Sequence, residues 1–169
     1  MSVEINGIAH LQLSVNDPER CVPFWEGLCH FLGMKTLIRG DGIVYCIGSR
    51  TGLMVRGVPA GSARERFDQD RAGLHHFCFR ARSREDVDAI HGYLVEQDDA
   101  RIVHPPELGP EFAPGYYSVL FEDPDGIRVE VSYVPGSGHF GEQGRLGPGG
   151  AGPADGLGEH GLTGPREGA

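Results

Sequence analysis

The stretch LHHFCFRARSREDVDAIHGYLVEQDDA, residues 74–100, opens with apolar and polar residues in alternation and then changes period. Alternation is the mark of a half-buried strand. Ser83 suits a helix N-cap, Asp86 falls in the first turn, and Val87, Ile90 and Leu94 recur at helical spacing. The stretch IAHLQLSVNDPERCVPFWEGLCHFLGM, residues 8–34, has the same order. Asp17 suits the cap, with Pro18 at the first helical position. Val22, Trp25, Leu28, Cys29 and Leu32 form the stripe, and Gly33 closes the helix. The two stretches superimpose without a gap. His10 lies seven residues before Asp17, and His76 lies seven residues before Ser83.

Working outward, three strand-like runs follow each helix. After the first come MKTLI (34–38), GIVYCIG (42–48) and GLMVRGV (52–58). After the second come ARIVH (100–104), GYYSVLFE (115–122) and GIRVEVSYV (126–134), with DPDG at 123–126 as a turn. Val58-Pro59 and Val134-Pro135 close the two runs, and counting back five from each proline gives Met54 and Glu130. The chain therefore reads as an α+β fold of two βαβββ modules, residues 5–58 and 74–135, whose eight strands form a mixed, cup-shaped sheet. The joining segment 59–73 is expected to hold a short helix near 63–68. Residues 1–135 form the domain. Residues 136–169 are more than a third glycine with few large apolar side chains, and are expected to be a disordered tail.

Composition narrows the function. A formal charge of -9 argues against nucleic acid and anionic membrane surfaces. No run approaches the roughly 20 apolar residues of a membrane span, and MSVEING has neither part of a signal peptide. Cys21, Cys29, Cys46 and Cys78 lack metal-site or C-x-x-C spacing, which suggests buried free thiols in a cytoplasmic protein.

Side chains alternate between the faces of a strand. Leu11, Leu13 and Val15 take the helix side of the first strand, as do Phe77, Phe79 and Ala81 in the second module and Val129, Val131 and Tyr133 on the last strand. His10, His76 and Glu130 then fall on the opposite, polar sides, and His75 on a helix-packed side. Imidazole nitrogen and carboxylate oxygen suit a divalent metal. A single strand histidine is more often simply packed, so the residues alone leave metal binding and packing both open.

"HLQLSVND…FWEGLCHFLGM", "HHFCFRARSREDVDAI" and "YYSVLFEDPDGIRVEV" resemble the vicinal oxygen chelate superfamily, which includes glyoxalase I, extradiol dioxygenases, fosfomycin-resistance enzymes, epimerases and bleomycin-binding proteins. The resemblance covers about residues 5–135, and DPDG-x-x-x-E is its most specific part. It implies one divalent metal held by His10, His76 and Glu130, a small-molecule substrate bound through neighbouring oxygens, and a homodimer. Two branches fit poorly. The fourth ligand of glyoxalase I-type enzymes falls on Met54, and the tyrosine of extradiol dioxygenases falls on Leu120.

A metal-dependent enzyme follows, with iron or manganese favoured over zinc, nickel or cobalt, and an oxygenase slightly favoured over a lyase, isomerase or thiol transferase. A metal-free antibiotic-binding protein is the rival. Tyr117 and Tyr45 are the candidate catalytic acid/bases. Gln12 is a candidate donor to a substrate oxygen, and Arg80 and Arg128 are candidates to hold a carboxylate or phosphate. Glu107 and Glu111 lie in the loop PPELGPEFAPG, residues 105–115, long enough to cover the site.

Overall fold

The computed structural model describes residue 5 and residues 7–62 and 65–136. The expected tail lies outside the described residues from 137 onward. The chain divides into two compact units. One comprises residues to Asp68 together with Asp123–Ile127, and the other comprises Gln69–Glu122 and the segment from Arg128. Residues 65–68 are irregular rather than helical.

The first unit contains β1 (His10–Val15), α1 (Pro18–Phe31), β2 (Lys35–Gly40), β3 (Ile43–Gly48) and β4 (Thr51–Gly57). Its sheet order is β1-β4-β3-β2, with β1 and β4 parallel and the other neighbours antiparallel. Asp17 caps α1 through Arg20 N, and Pro18 opens the helix. Gly33, at φ 75°, takes the left-handed turn that ends it. The apolar stripe buries Cys21, Val22, Trp25, Leu28 and Cys29, and the sheet supplies buried Leu13, Val15, Val44, Leu53 and Val55.

The second unit repeats this plan with β5 (Phe77–Arg80), α2 (Arg84–Val95), β6 (Arg101–Leu108), β7 (Tyr117–Glu122) and β8 (Arg128–Tyr133), in the order β5-β8-β7-β6. Ser83 caps α2 through Asp86 N. The two predicted βαβββ modules are thus present, and their eight strands divide into two separate four-stranded sheets. The duplication extends to register. Gln12 pairs with Met54, and Cys78 pairs with Glu130. Two residues before each come His10 and His76.

Three details differ from the sequence reading. β5 begins at Phe77 rather than Leu74; β8 begins at Arg128, opposite His76 in this register, and offers no strand partner to Leu74 or His75. β6 continues past His104 through Pro105 and Pro106 to Leu108. It is an edge strand with two register shifts, where a missing N–H is tolerated. Cys21, Cys29 and Cys46 are buried free thiols, but Cys78 is exposed, since it lies on the face of edge strand β5 away from the helix.

The DPDG turn belongs to the first unit. Asp123 is 1% exposed. Its Oδ1 accepts from Asp125 N at 2.9 Å and Ile127 N at 2.8 Å, and its Oδ2 accepts from Trp25 Nε1 at 2.8 Å. Asn16 N donates to the Asp125 carboxylate. Gly126, at φ 88°, closes the turn by donating to Asp123 O. Burial pushes the Asp123 carboxyl up to about 6, although the Trp25 and backbone donors oppose it. A carboxyl raised by folding adds stability while protonated and loses that contribution as pH climbs through its folded value. Trp25→Phe removes a donor to the ionised form. It should therefore cost about 1–3 kcal/mol, with the larger loss at about pH 8 than at about pH 5. Denaturant unfolding at both pH values checks this, and an equal loss at both would mean that the indole does not act through the Asp123 charge.

Candidate functional site

A cavity of about 330 Å³ lies within the second unit. Glu130 reaches it from the middle of β8, and Ser118 and Leu120 from the same face of β7. His75 and His76 enter from the segment just before β5, and Tyr116 from the residue just before β7.

Two of the predicted ligands meet here. His76 Nε2 stands 3.3 Å from Glu130 Oε2. Their remaining polar atoms are also held. His76 Nδ1 is 2.7 Å from His75 Nδ1, and the Tyr116 hydroxyl donates to Glu130 Oε1 at 2.6 Å. Burial would push the Glu130 carboxyl up, but hydrogen bonds from His76, Tyr116 and Ser118 and the charge of His76 outweigh it and hold the group below its usual value. Burial, then the hydrogen bond and charge of Glu130, push the Tyr116 phenol well above its ordinary value, so it remains a donor.

This donor set suits a metal. One imidazole nitrogen and one carboxylate oxygen face each other, and a second group orients each side chain from behind. Metal-binding histidines and carboxylates are commonly supported in this way. Within either unit, no three His, Cys, Asp or Glu side chains converge among the described residues. His10, the third predicted ligand, is exposed on β1 in the first unit, at the place in its module that His76 holds in the other.

Tyr117 turns to the helix side. Its hydroxyl donates to Asp88 Oδ1 at 2.8 Å, and Arg84 lies over its ring at 5.3 Å. Tyr116, one residue earlier, takes the cavity position instead. Tyr45 lies on β3 in the first unit with its ring packed over Gly52, where a Cβ would collide with its hydroxyl. Gln12 is exposed on β1, and Arg80 is exposed at the end of β5. Arg128 donates to Glu122 at 3.1 Å, and Arg101 meets the same carboxylate at 2.7 Å. That engagement leaves its expected role as a substrate clamp without support.

His75 differs from its expected packing role. Strand alternation does not reach back past Phe77, so the His75 ring stands against His76 in the cavity. The Tyr116 position was open to inference, since it has the same parity as Ser118 and Leu120, the latter paired with Glu130. His104, on β6, also lines the cavity and is 3.5 Å from Glu107. No motif marked it.

Residues 7–131 match the model of the Glyoxalase/Bleomycin resistance protein/Dioxygenase superfamily. The chain belongs to this superfamily. It is 30% identical over 128 residues to the uncharacterized protein YqjT of Bacillus subtilis (strain 168), covering 72% of this chain and 94% of that one. A glyoxalase-family protein of Bacillus halodurans superimposes with a TM-score of 0.64 at 28% identity, covering 76% of this chain and 96% of the other. The lactoylglutathione lyase of Agrobacterium tumefaciens shares the fold, with a TM-score of 0.55 at 24% identity over 76% of this chain and 94% of its own. No described helix is long and apolar enough to cross a membrane.

Burial would raise the Glu122 carboxyl, but Arg101 and Arg128 outweigh it and hold it below its usual value. A carboxyl lowered by folding contributes stability above its unfolded value, and that contribution disappears as pH falls through the folded value. Arg128→Ala should cost about 2–3 kcal/mol at neutral pH, less than the loss of both partners because Arg101 remains. The loss should shrink in acid. Thermal unfolding at neutral and acid pH checks this, and a stable Arg128→Ala protein with impaired ligand binding would restore the arginine to the site.

Proposed function

We propose that this chain is a metal-dependent enzyme acting on a small substrate held through neighbouring oxygens. His76 and Glu130 are the ligands from the second module, and His10 is the third. The observation that carries the reading is the approach of His76 Nε2 to Glu130 Oε2, 3.3 Å apart in a cavity of about 330 Å³. A divalent ion held there supplies Lewis acidity toward substrate oxygens or, if it is iron, oxygen activation. The protein's own groups do the positioning. Tyr116 donates to Glu130 Oε1 and leaves Oε2 available. His75 Nδ1, 2.7 Å from His76 Nδ1, holds that ring from behind with Nε2 turned toward Glu130 Oε2. Iron or manganese and oxygenase chemistry remain the preferred form of this reading. Lyase, isomerase or thiol-transferase chemistry with zinc, nickel or cobalt uses the same ligands.

The second reading is a metal-free small-molecule binder. It is favoured by the fact that Tyr116 and His76 already hold the two oxygens of Glu130 with protein groups alone.

Metal titration of the chelator-stripped full chain, with manganese or with iron under anaerobic conditions, should give about one ion per chain. His76→Ala and Glu130→Gln should nearly abolish binding. Tyr116→Phe and His75→Ala should weaken it about tenfold, and Tyr117→Phe should leave it unchanged. Full affinity in Glu130→Gln would remove that residue from the ligand set. Absence of binding by any of these ions would move the second reading to first place.

A further inference from the structure

The rim of the same cavity carries information about charge. Glu107 and Glu111 line it and are exposed, while no lysine or arginine lines it among the described residues. The arginines that could have supplied a positive wall are elsewhere. Arg128 donates to Glu122, and Arg80 is absent from the lining. A carboxylate, phosphate or phosphonate entering here would face Glu107, Glu111 and Glu130 and find no guanidinium or ammonium to receive it; of the three imidazoles in the lining, His76 faces Glu130, His104 faces Glu107 and His75 lies against His76.

One wall is aromatic and is built in place. Gly109 N donates to Tyr116 O at 3.1 Å, and Phe112 N donates to Gly109 O at 3.0 Å, so the segment from 109 to 116 closes on itself. The Phe112 and Tyr116 rings stand 5.2 Å apart at 48°. Both pack over Gly109, where a Cβ would come within 2.7 Å of Phe112 Cδ2 and 3.2 Å of Tyr116 Cδ1. The missing side chain lets the rings settle there. Tyr116 connects this wall to the inner end of the cavity, because its ring belongs to the wall and its hydroxyl touches Glu130. Flat rings pack favourably on such surfaces in offset or tilted geometry.

We propose that this cavity selects a small aromatic amine, with its ring against Phe112 and Tyr116 and its ammonium toward Glu107 and Glu111, and discriminates against anionic molecules of the same shape. The proposal rests on the reading of this cavity as the substrate site, but it does not require the metal. It also reverses the expectation, drawn from Arg80 and Arg128, of a carboxylate or phosphate on the substrate.

The test uses three probes of matched shape: tyramine as the cation, 4-ethylphenol as the neutral form and 3-(4-hydroxyphenyl)propionate as the anion. Calorimetric or NMR titration is carried out on the full chain, both stripped with chelator and loaded with zinc. The expected order in the stripped protein is cation, then neutral, then anion, with about tenfold between the first and last at low salt and a smaller gap at high salt. Glu107→Gln/Glu111→Gln keeps the polar contact to His104 while removing both charges. It should reduce the gap to less than about threefold without changing the affinity of 4-ethylphenol. Phe112→Ala should weaken all three probes together. Tighter binding of the anion, an unchanged order in the double variant, or no binding of any probe at millimolar concentration would each overturn the proposal. Failure of the metal reading would show separately, as the absence of bound zinc, whatever the charge order in the stripped protein.

Discussion

Both oxygens of the Asp123 carboxylate are occupied, and the placement of Glu130 depends on it. Oδ1 holds the amides of Asp125 and Ile127, and Oδ2 holds the Trp25 indole. These bonds set the tight turn after Glu122 and return the chain to the sheet at Arg128. Once β8 starts there, alternation decides its faces. Val129 and Val131 go under the helix, and Glu130 goes to the other side, toward His76. A turn one residue longer would reverse those assignments and bury the glutamate among apolar side chains. The specificity of the DPDG-x-x-x-E spacing thus has a mechanical origin: the aspartate fixes the turn, and the turn fixes the face on which the glutamate appears.

Glu122 and Asp123 are consecutive buried carboxylates that are satisfied in different ways. Glu122 meets two guanidiniums, aligned across three strands because Arg101, Glu122 and Arg128 are register partners. Asp123 meets only neutral N–H donors, and burial therefore dominates its titration. The two residues consequently shift in opposite directions within one peptide unit. The contrast follows from partner type, since the two residues are almost equally buried, at 2% and 1% exposure.

Much of this architecture was legible in the sequence because it is written as a repeat. Asp17 and Ser83 are the caps they promised to be, and the register equates Met54 with Glu130 and His10 with His76, as counting did. Single-residue alternation was informative only inside strands. It failed for His75, which precedes β5, and it could not show that Tyr116 rather than Tyr117 faces the cavity without the position at which β7 begins. The loop from 109 to 116 was harder still. Its aromatic wall depends on Gly109 lying beneath Phe112 and Tyr116, in a turn whose Pro/Gly-rich sequence forms no regular element. The commitment of Arg128 to Glu122 was visible only once the strands were paired.

The same repeat explains why the cavity belongs to the second module. In both modules the polar face of the last strand offers two successive levels, Gly52 and Met54 in the first and Arg128 and Glu130 in the second. At the first level Tyr45 covers Gly52, and the ion pair to Glu122 occupies Arg128. At the second level the modules diverge. Met54 presents a neutral thioether, whereas Glu130 presents a carboxylate held by Tyr116 and approached by His76. The two changes reinforce each other. A carboxylate can be kept half-buried only with donors on it, and the donors come from a tyrosine and a histidine that stand just before β7 and β5. Duplication supplies the frame twice, but the polar network that makes a site was assembled around one copy of the last strand.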